Sequence, residues 1–369
     1  MGTVIMETPL HKPFPLFLLG FGVTVAYVPG IVGAAISTGW LFLFIACPIL
    51  FLWCDFKLGW GFAFICYAAL SLLWTETFTL SIFNFLQYSI LGIIFIIGQN
   101  IKDLKPIFKG IALGVGLSSI AAIFQYFGYH EIATLNNSSA GLFINPNIYS
   151  ELSALLLIGL LVLNLWYWIP VTLTGLILVH SRTALLALAV GLFLWGWRLN
   201  KYLALGLSIL ILALGIIFYW DHFSFTSISE RFNIWKDTIA GFDLFGNGVG
   251  SYEIVFPKYA THINTELGRP RYAHNDLLNI IYEFGLGCIF LILMFKNIKL
   301  KNEIVILFTA FAISMFNYAM HIPATAFITF LVAGYLSDNF HTVFDIRNSS
   351  GSNLFKRFNT KKLNKIRSS

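Results

Sequence analysis

Between Pro13 and Cys54 the chain carries no charged residue, and similar apolar runs recur along most of its length. A helix that crosses a bilayer needs roughly 20 mainly apolar residues, so these runs have the length and composition of membrane spans. Charged residues form only 11% of the chain, against about 25% in soluble domains. This excludes one large soluble domain, and the high hydrophobicity excludes disorder over most of the length. The composition therefore predicts a polytopic membrane protein.

The apolar runs predict an all-α bundle of about twelve transmembrane helices, occupying residues 1–340. Helices are favoured because the runs are continuous, whereas strands of a membrane barrel would alternate in segments of about 10 residues. The spans are expected near residues 16–35, 39–54, 60–74, 80–98, 108–127, 149–163, 165–180, 183–197, 202–220, 277–296, 303–319 and 322–337.

The basic residues test this arrangement, because cytoplasmic loops of membrane proteins carry an excess of Lys and Arg. With both termini inside, alternation places most of the 23 Lys and Arg residues on the inner side, and removing any one span breaks the pattern. The polar, basic tail 341–369 is then a cytoplasmic segment, predicted to be disordered and held near anionic membrane lipids. The net charge of +6 therefore reflects orientation, and nucleic acid is not an expected partner. The basic residues left on the outer side are Arg182, Arg231, Lys236, Lys258, Arg269 and Arg271.

Polar residues gather in three segments that this topology places on one outer face: 128–150, the turn 180–183, and the long loop 221–276. Arg182 in the short turn is the most unusual residue, because an Arg at membrane depth is costly unless it reaches water or a partner. Two interpretations remain open. Arg182 is either a snorkelling residue at a helix end or an anion ligand whose guanidinium grips phosphate oxygens with two hydrogen bonds.

The long loop opens with apolar residues at positions 228, 232, 235, 239 and 242, which is a helical spacing. We expect a short amphipathic helix at the outer interface, with Ser229 as its N-cap and Trp235 at the level of the lipid. Arg231 lies four residues before Trp235 and shares its side of the helix. Arg231 is either an ordinary residue of an interfacial helix or a second phosphate ligand.

Alternating glycines follow at positions 246, 248 and 250. Such a loop either forms a tight turn after the helix or exposes backbone N–H groups, at Gly248 for example, to an oxyanion. No GKS or GKT sequence follows and the loop faces outward, so a nucleotide-binding P-loop is rejected.

His274 lies where the outer loop meets the membrane, flanked by Asn275 and Asp276. Histidine can accept a proton near neutral pH and is the commonest general base, although a lone loop histidine more often has no chemical role. Glu283 follows about two turns into the next helix. An intramembrane carboxylate is a functional candidate by default, but Glu283 can equally hydrogen-bond a neighbouring helix.

The sequence shows no metal-binding pattern. The outer histidines form no HExxH or carboxylate-rich spacing, no GxSxG motif is present, and the four cysteines form no CxxC pair. No metal and no cofactor is therefore expected, and the cysteines are interpreted as small apolar residues.

Taken together, the outer motifs resemble those of the O-antigen ligase/polymerase superfamily, bacterial membrane glycosyltransferases that use undecaprenyl-diphosphate-linked glycans. The resemblance covers roughly residues 140–290, whereas the flanking helices match only in number and apolarity. It rests on the order of 145–147 (NPN), 181–184 (SRTA), 231–235 (RFNIW), 244–250 (LFGNGVG), 274–278 (HNDLL) and 283–287 (EFGLG).

This resemblance implies a GT-C-like helical bundle in the bacterial inner membrane, with its active face in the periplasm. It implies metal-independent, inverting transfer of a glycan from the lipid diphosphate to a sugar hydroxyl, either on a lipid A-core acceptor or on the growing glycan. The family roles carry over to Arg182 and Arg231 as diphosphate ligands and to His274 in acceptor activation. Gly248, Arg271 and Asn275 are further expected substrate-binding residues, and Trp235, Glu283 and Asn147 are expected supporting residues.

Three functions remain open at this point. The dominant outer loop favours an O-antigen ligase over a polysaccharide polymerase or a protein-glycosylating relative. A secondary transporter is a second class, since Pro29-Gly30 could mark a broken helix. Transport sites, however, usually need polar groups near the bilayer midplane, and here such groups gather at the outer boundary. A non-catalytic assembly protein is the third possibility, and it predicts that loss of Arg182 or His274 leaves the glycan intact.

Overall fold

The computed structural model describes residues 9–25, 38–54, 59–129, 139–143, 145–179, 181–219, 225–263 and 270–337. Over these residues the chain is helical, apart from turns and one isolated β-bridge between Ile298 and Ser337. Several sequence features lie outside the described residues, namely Pro29-Gly30, Lys57, Asn136 to Ser138, His180, Arg269 and the tail 341–369.

Most of the helices are apolar around their whole circumference, as expected for helices surrounded by lipid and by one another. In chain order they are α1 (Pro13–Val25), α2 (Thr38–Phe51), α3 (Trp60–Ser71), α4 (Phe78–Asn100), α5 (Lys105–Tyr126), α6 (Pro146–Val162), α7 (Ile169–Ile177), α8 (Arg182–Trp197), α9 (Lys201–Tyr219), α10 (Phe225–Ala240), α11 (Tyr252–Val255), α12 (Asp276–Phe284), α13 (Cys288–Met294), α14 (Ile304–Ser314) and α15 (Pro323–Leu336).

Each of the predicted spans overlaps an observed helix, and the all-α prediction is confirmed over the described residues. Three stretches are both long and apolar enough to cross a membrane: Phe78–Asn100, Lys105–Tyr126 and Asp276–Met294. The other apolar helices are shorter. The third stretch is broken within, because Gly285 adopts φ +50° and a 3₁₀ turn separates α12 from α13. A purely apolar pattern does not reveal that break.

Two helix pairs pack with their backbones in direct contact. A Cβ atom added at Gly98 of α4 or Gly334 of α15 would lie 2.3 Å or 2.0 Å from a backbone carbonyl oxygen of the opposite helix. In the same way, Gly20 and Gly110 join α1 to α5, where the added atoms would lie 2.2 Å and 2.1 Å from carbonyl oxygens. Small residues allow this approach and are typical of helix packing in membranes.

The polar residues lie at one end of this apolar bundle. α8 packs against α6 and α14, while α10 packs against α12. This packing brings the first turns of α6, α8 and α12 together with α10 and the connection between α14 and α15. At the other end of α8, Arg198 donates a hydrogen bond to Asn302, beside the basic connection 296–301. α8 therefore joins the polar end of the bundle to its basic end.

Candidate active site

Arg182 is the first residue of α8. Ser181 caps that helix by accepting a hydrogen bond from the backbone N–H of Ala184, at 3.4 Å. The N-terminus of a helix carries a partial positive charge, so a cation there is unfavourable by about 0.3–1 kcal/mol. The same end, with its free N–H groups, favours an anion. Arg182 therefore adds a charged donor to a position already suited to a phosphate.

Arg231 lies on α10, and its guanidinium is within electrostatic reach of Arg182 and Glu151. Burial lowers the pKa of Arg231, and the positive charge of Arg182 acts in the same direction, while Glu151 opposes both. The two arginines predicted from separate outer segments thus form one cationic pair. Two neighbouring guanidinium groups suit a ligand with several negative oxygens, such as a diphosphate.

Glu151, in the second turn of α6, places a carboxyl group within electrostatic reach of Arg231. Its side chain is buried, with 1% relative exposure. Both of its carboxylate oxygens accept hydrogen bonds from Asn317 Nδ2, at 2.8 Å and 2.7 Å. A buried charge needs such partners, because desolvation is otherwise costly.

His274 adopts φ +51°, a left-handed conformation that is uncommon for a residue other than glycine. The preceding peptide is held from two sides. Trp235 Nε1 donates to the carbonyl oxygen of Ala273 at 3.0 Å, and the N–H of Ala273 donates to Asn279 Oδ1 at 3.1 Å. Trp235 thus directly supports the segment that carries His274.

Burial lowers the pKa of His274, the positive charge of Arg231 lowers it further, and the polar side chain of Asn317 acts in the opposite direction. The imidazole is therefore neutral at neutral pH and carries a lone pair. A neutral imidazole within the field of Arg231 can act as a general base beside an anionic ligand.

Aromatic rings connect His274 to a second polar cluster, which consists of Tyr272, Asp276, Glu283 and His321. The ring of Tyr318 lies 5.3 Å from that of His274 and 4.9 Å from that of Tyr272, and Tyr272 lies 4.0 Å from His321. The imidazole Nδ1 of His321 is 3.4 Å from Asp276 Oδ1. Burial raises the pKa of Tyr272, and the nearby carboxylate of Glu283 adds to that effect.

Glu283 is buried on α12 and hydrogen-bonds a neighbouring helix, as one of its two interpretations expected. Tyr88 of α4 donates its hydroxyl to Glu283 Oε2 at 3.3 Å, and Asn279 Nδ2 donates to Oε1 at 3.2 Å. Since the bond from Tyr88 ties α12 to α4, Glu283 belongs to the second polar cluster and not to the arginine pair.

The glycine loop folds back onto α12. Gly246, Gly248 and Gly250 have φ of +78°, +93° and +68°. The N–H of Gly248 donates to the carbonyl oxygen of Glu283 at 3.0 Å. The amide that could have faced an oxyanion is therefore already paired, and this geometry favours the tight-turn interpretation.

The structure also places the remaining predicted residues Asn275, Arg271 and Asn147. Asn275 caps α12 by accepting from the N–H of Leu278, and its Nδ2 donates to the carbonyl oxygen of Met315. Arg271 is exposed, with its Nε 3.7 Å from Glu253 Oε1.

Asn147 is exposed in the first turn of α6, and its backbone N–H is capped by Asn145. The structure brings Arg182, Arg231 and His274 together. Asn275 is the N-cap of α12, while Asn147 lies within the first turn of α6, whose N-cap is Asn145.

The predicted amphipathic helix is present as α10, but it begins at Phe225 and not after Ser229. Ser229 is an exposed residue within the helix, so the N-cap prediction was wrong. A serine before an apolar pattern resembles a cap when the preceding turn is less regular. The apolar stripe itself is exposed at Phe232, Ile239 and Phe242, as expected for a helix lying against lipid.

Sequence reasoning missed Glu151, Asn317, Tyr318 and the place of His321 in the second cluster. Glu151 carried an available signal, since it is a carboxylate inside a predicted span, the same feature that singled out Glu283. Asn317 and Tyr318 are neutral residues at the end of a predicted span, where polar residues are common. Among the described residues, no group of three or more His, Cys, Asp or Glu side chains could hold a metal ion.

Comparison with known proteins adds one finding. Residues 168–293 match the family model described as O-antigen ligase. The matched segment contains Arg182, Arg231 and His274, and it ends before Asn317. No curated protein matches the chain. The family match supports the O-antigen ligase/polymerase superfamily for this chain, and with it a membrane protein.

Proposed function

We propose that this chain, whose segment 168–293 supports a place in the O-antigen ligase/polymerase superfamily, transfers a glycan from an undecaprenyl-diphosphate carrier to an acceptor sugar hydroxyl. One observation carries the proposal. Arg182 and Arg231 form a single cationic pair at the polar end of the bundle, and the neutral imidazole of His274 lies in the field of Arg231.

The proposed reaction follows from these charges. The acceptor oxygen forms a bond to the anomeric carbon while the bond from that carbon to the diphosphate oxygen breaks. The proton of the acceptor hydroxyl moves to His274, and the electron pair of the broken bond leaves with the diphosphate. The arginine pair stabilises the negative charge that develops there, which is the task a divalent cation performs elsewhere. Attack opposite the leaving group inverts the anomeric centre.

The O-antigen ligase type is the form of this reaction that we favour, with a lipid A-core as acceptor. We place about twelve spans in the bacterial inner membrane, both termini in the cytoplasm and the arginine pair facing the periplasm. The distribution of basic residues supports this orientation. The single long loop, which carries Arg231, the glycine turn and His274, supports the ligase over the polymerase.

The test uses a strain that lacks the protein and is complemented by variants. A ligase predicts full-length polymer left on its lipid carrier in the deletion strain, whereas a polymerase predicts single repeat units attached to the core. Arg182→Lys keeps the charge but loses the two-pronged geometry. We expect it to lower transfer by about 10²- to 10³-fold, the usual loss for one donor to a developing oxyanion. Arg182→Ala and His274→Ala with normal protein levels and intact glycan would show a non-catalytic assembly role instead.

A further inference from the structure

Tyr318 is an aromatic residue of the candidate active site that has no role in the reaction proposed above. It lies in the connection between α14 and α15, and its side chain is partly buried. Its ring lies 5.3 Å from the imidazole of His274 and meets it at an angle of 61°. Its hydroxyl is within electrostatic reach of Arg231. Tyr318 therefore contacts the proposed base and lies near one of the two arginines.

The connection that carries Tyr318 is held against the helix of Arg231. Phe316 packs on Trp235 of α10, with ring centroids 6.1 Å apart. Trp235 follows Arg231 by four residues, so the two side chains share one side of that helix. Phe316, two residues before Tyr318, thus fixes this part of the connection beside the helix that supplies one arginine of the cationic pair.

A second tyrosine and an anchored histidine support the ring of Tyr318. The ring of Tyr272 lies 4.9 Å from that of Tyr318 and 4.0 Å from that of His321. His321 is buried, and its backbone carbonyl oxygen accepts a hydrogen bond from Trp40 Nε1 at 3.0 Å. Its Nδ1 lies 3.4 Å from Asp276 Oδ1. Tyr272 thus contacts a buried, anchored ring as well as Tyr318, which leaves the two tyrosines little freedom to rearrange.

An ordered tyrosine that keeps part of its surface exposed suits a sugar ring. The face of an aromatic ring carries partial negative charge, and the C–H groups of a sugar carry partial positive charge. The phenol hydroxyl can also exchange hydrogen bonds with sugar hydroxyls. A tyrosine side chain has only two torsion angles to fix, so it supplies a large contact area at a low cost in entropy. Tyr318 therefore has the chemistry of a sugar-binding residue.

We propose that Tyr318, supported by Tyr272, binds the sugar that is directly attached to the lipid diphosphate. This inference rests on the proposed function, in which the arginine pair binds the diphosphate and His274 takes the proton of the acceptor hydroxyl. The anomeric carbon lies between those two groups during transfer, so the sugar that contains it lies there too. Tyr318 is near both groups. The lipid chain leaves the opposite end of the diphosphate, so a sugar is the expected occupant.

Binding of different carrier lipids separates the sugar from the diphosphate. The probes are undecaprenyl diphosphate alone and the same lipid carrying a single glucose or a single galactose. They are added to the full chain in lipid nanodiscs, without an acceptor, so that no transfer occurs. We expect a glycosylated carrier to bind the wild type more tightly than the bare carrier does. Tyr318→Leu should reduce that advantage by about 3- to 10-fold, the range for one aromatic contact, and leave the Kd of the bare carrier unchanged.

Three further variants separate the aromatic ring from its surroundings. Tyr318→Phe keeps the ring and should keep most of the advantage of the glycosylated carrier. Arg182→Ala should weaken the bare and the glycosylated carriers alike, because both contain the diphosphate. Tyr129 is the matched control, since it is an exposed tyrosine whose ring lies 6.1 Å from that of Phe124. Tyr129→Leu should change neither Kd.

The binding and transfer results distinguish the two proposals. Equal weakening of the bare and glycosylated carriers in Tyr318→Leu would show that Tyr318 supports the fold or the lipid, and it would overturn the sugar-binding role. A wild type that binds neither glycosylated carrier more tightly than the bare one would overturn that role as well. A wild type that prefers a glycosylated carrier through Tyr318 but transfers no glycan to any acceptor would overturn the proposed function and leave the sugar-binding role standing.

Discussion

At the scale of single residues, the side chains of the candidate site are partly buried and act on one another electrostatically. Arg182 and Arg231 repel each other, and Glu151 attracts Arg231. His274 stays neutral because burial and Arg231 both disfavour its charged form. A bound diphosphate would relieve the repulsion between the arginines. It would also weaken the effect of Arg231 on His274, so donor binding is coupled to the basicity of the imidazole.

Arg231→Gln tests this coupling at the imidazole. The positive neighbour lowers the pKa of His274, so its removal should raise that pKa towards the ordinary value of about 6.5. Protonation of His274 would then begin at higher pH, and the acid limb of any transfer activity would move in the same direction. The measurement is an NMR titration of the His274 signal. Lys258→Gln removes an exposed cation paired with Glu76 and should leave the titration unchanged. An unchanged pKa in Arg231→Gln would contradict this account.

At the scale of helices, the glycines at the backbone contacts limit what the bundle tolerates. A Cβ atom at Gly334 would lie 2.0 Å from the carbonyl oxygen of Phe95, and backbone atoms cannot move aside as a flexible side chain can. Gly334→Ala should therefore separate α15 from α4 and lower the free energy of unfolding by about 1–3 kcal/mol. Thermal unfolding in detergent measures the effect.

Gly206 in α9 provides the matched control. A Cβ atom there would meet nothing within 4 Å. Gly206→Ala should be neutral or stabilising by about 0.5–1 kcal/mol, because alanine favours a helix interior over glycine. Equal stability losses in Gly206→Ala and Gly334→Ala would show that close packing is not the cause.

α10 is tied to the far part of its loop by a buried carboxylate. Burial alone would raise the pKa of Asp237, but hydrogen bonds from His262 and Thr261 outweigh it and leave the pKa below its usual value. Such a group stabilises the fold above its unfolded pKa of about 3.9, and this stability is lost as the pH falls through the folded value. His262 Nδ1 lies 2.6 Å from Asp237 Oδ1.

Asp237→Asn should therefore loosen the segment 261–263 at neutral pH. Hydrogen exchange should show faster exchange of the His262 amide, which donates to Asp237 Oδ2 at 3.0 Å. The wild type should approach the variant only below about pH 4. Asp243→Asn, an exposed change on the same loop, is the control. Equal exchange in both variants would argue against the tie.

The helices could be predicted from the sequence because apolar runs are a local property. The break at Gly285 and the true start of α10 could not, because both depend on what the chain packs against. For the site, Arg182 and His274 were predicted because charge or a titratable ring at a membrane boundary is unusual in itself. Asn317 is unremarkable alone, and its place in the site appears only when folding sets its Nδ2 against both carboxylate oxygens of Glu151.

At the scale of the whole molecule, the two ends of the bundle differ in charge and in content. α8 carries Arg182 at its first turn and ends at Trp197, beside the Arg198–Asn302 hydrogen bond at the basic end. The basic end holds residues of the connections that the positive-inside rule assigns to the cytoplasm. The opposite end holds the arginine pair, the glycine loop and the rings of Tyr272 and Tyr318. If the basic end is cytoplasmic, the arginine pair faces the periplasm.

Site-specific labelling tests that orientation. Single cysteines replace exposed residues in a background where Cys47, Cys54, Cys66 and Cys288 have been changed to serine or alanine. Lys258→Cys and Arg271→Cys mark the polar end, and Lys201→Cys and Lys301→Cys mark the basic end. A membrane-impermeant maleimide should label the first pair in cells with a permeabilised outer membrane and the second pair only after lysis. All four residues are exposed in the structure, so a difference in labelling reports the side of the membrane. Labelling of the basic end in intact inner membranes would reverse the orientation and remove the arginine pair from the periplasmic carrier lipid.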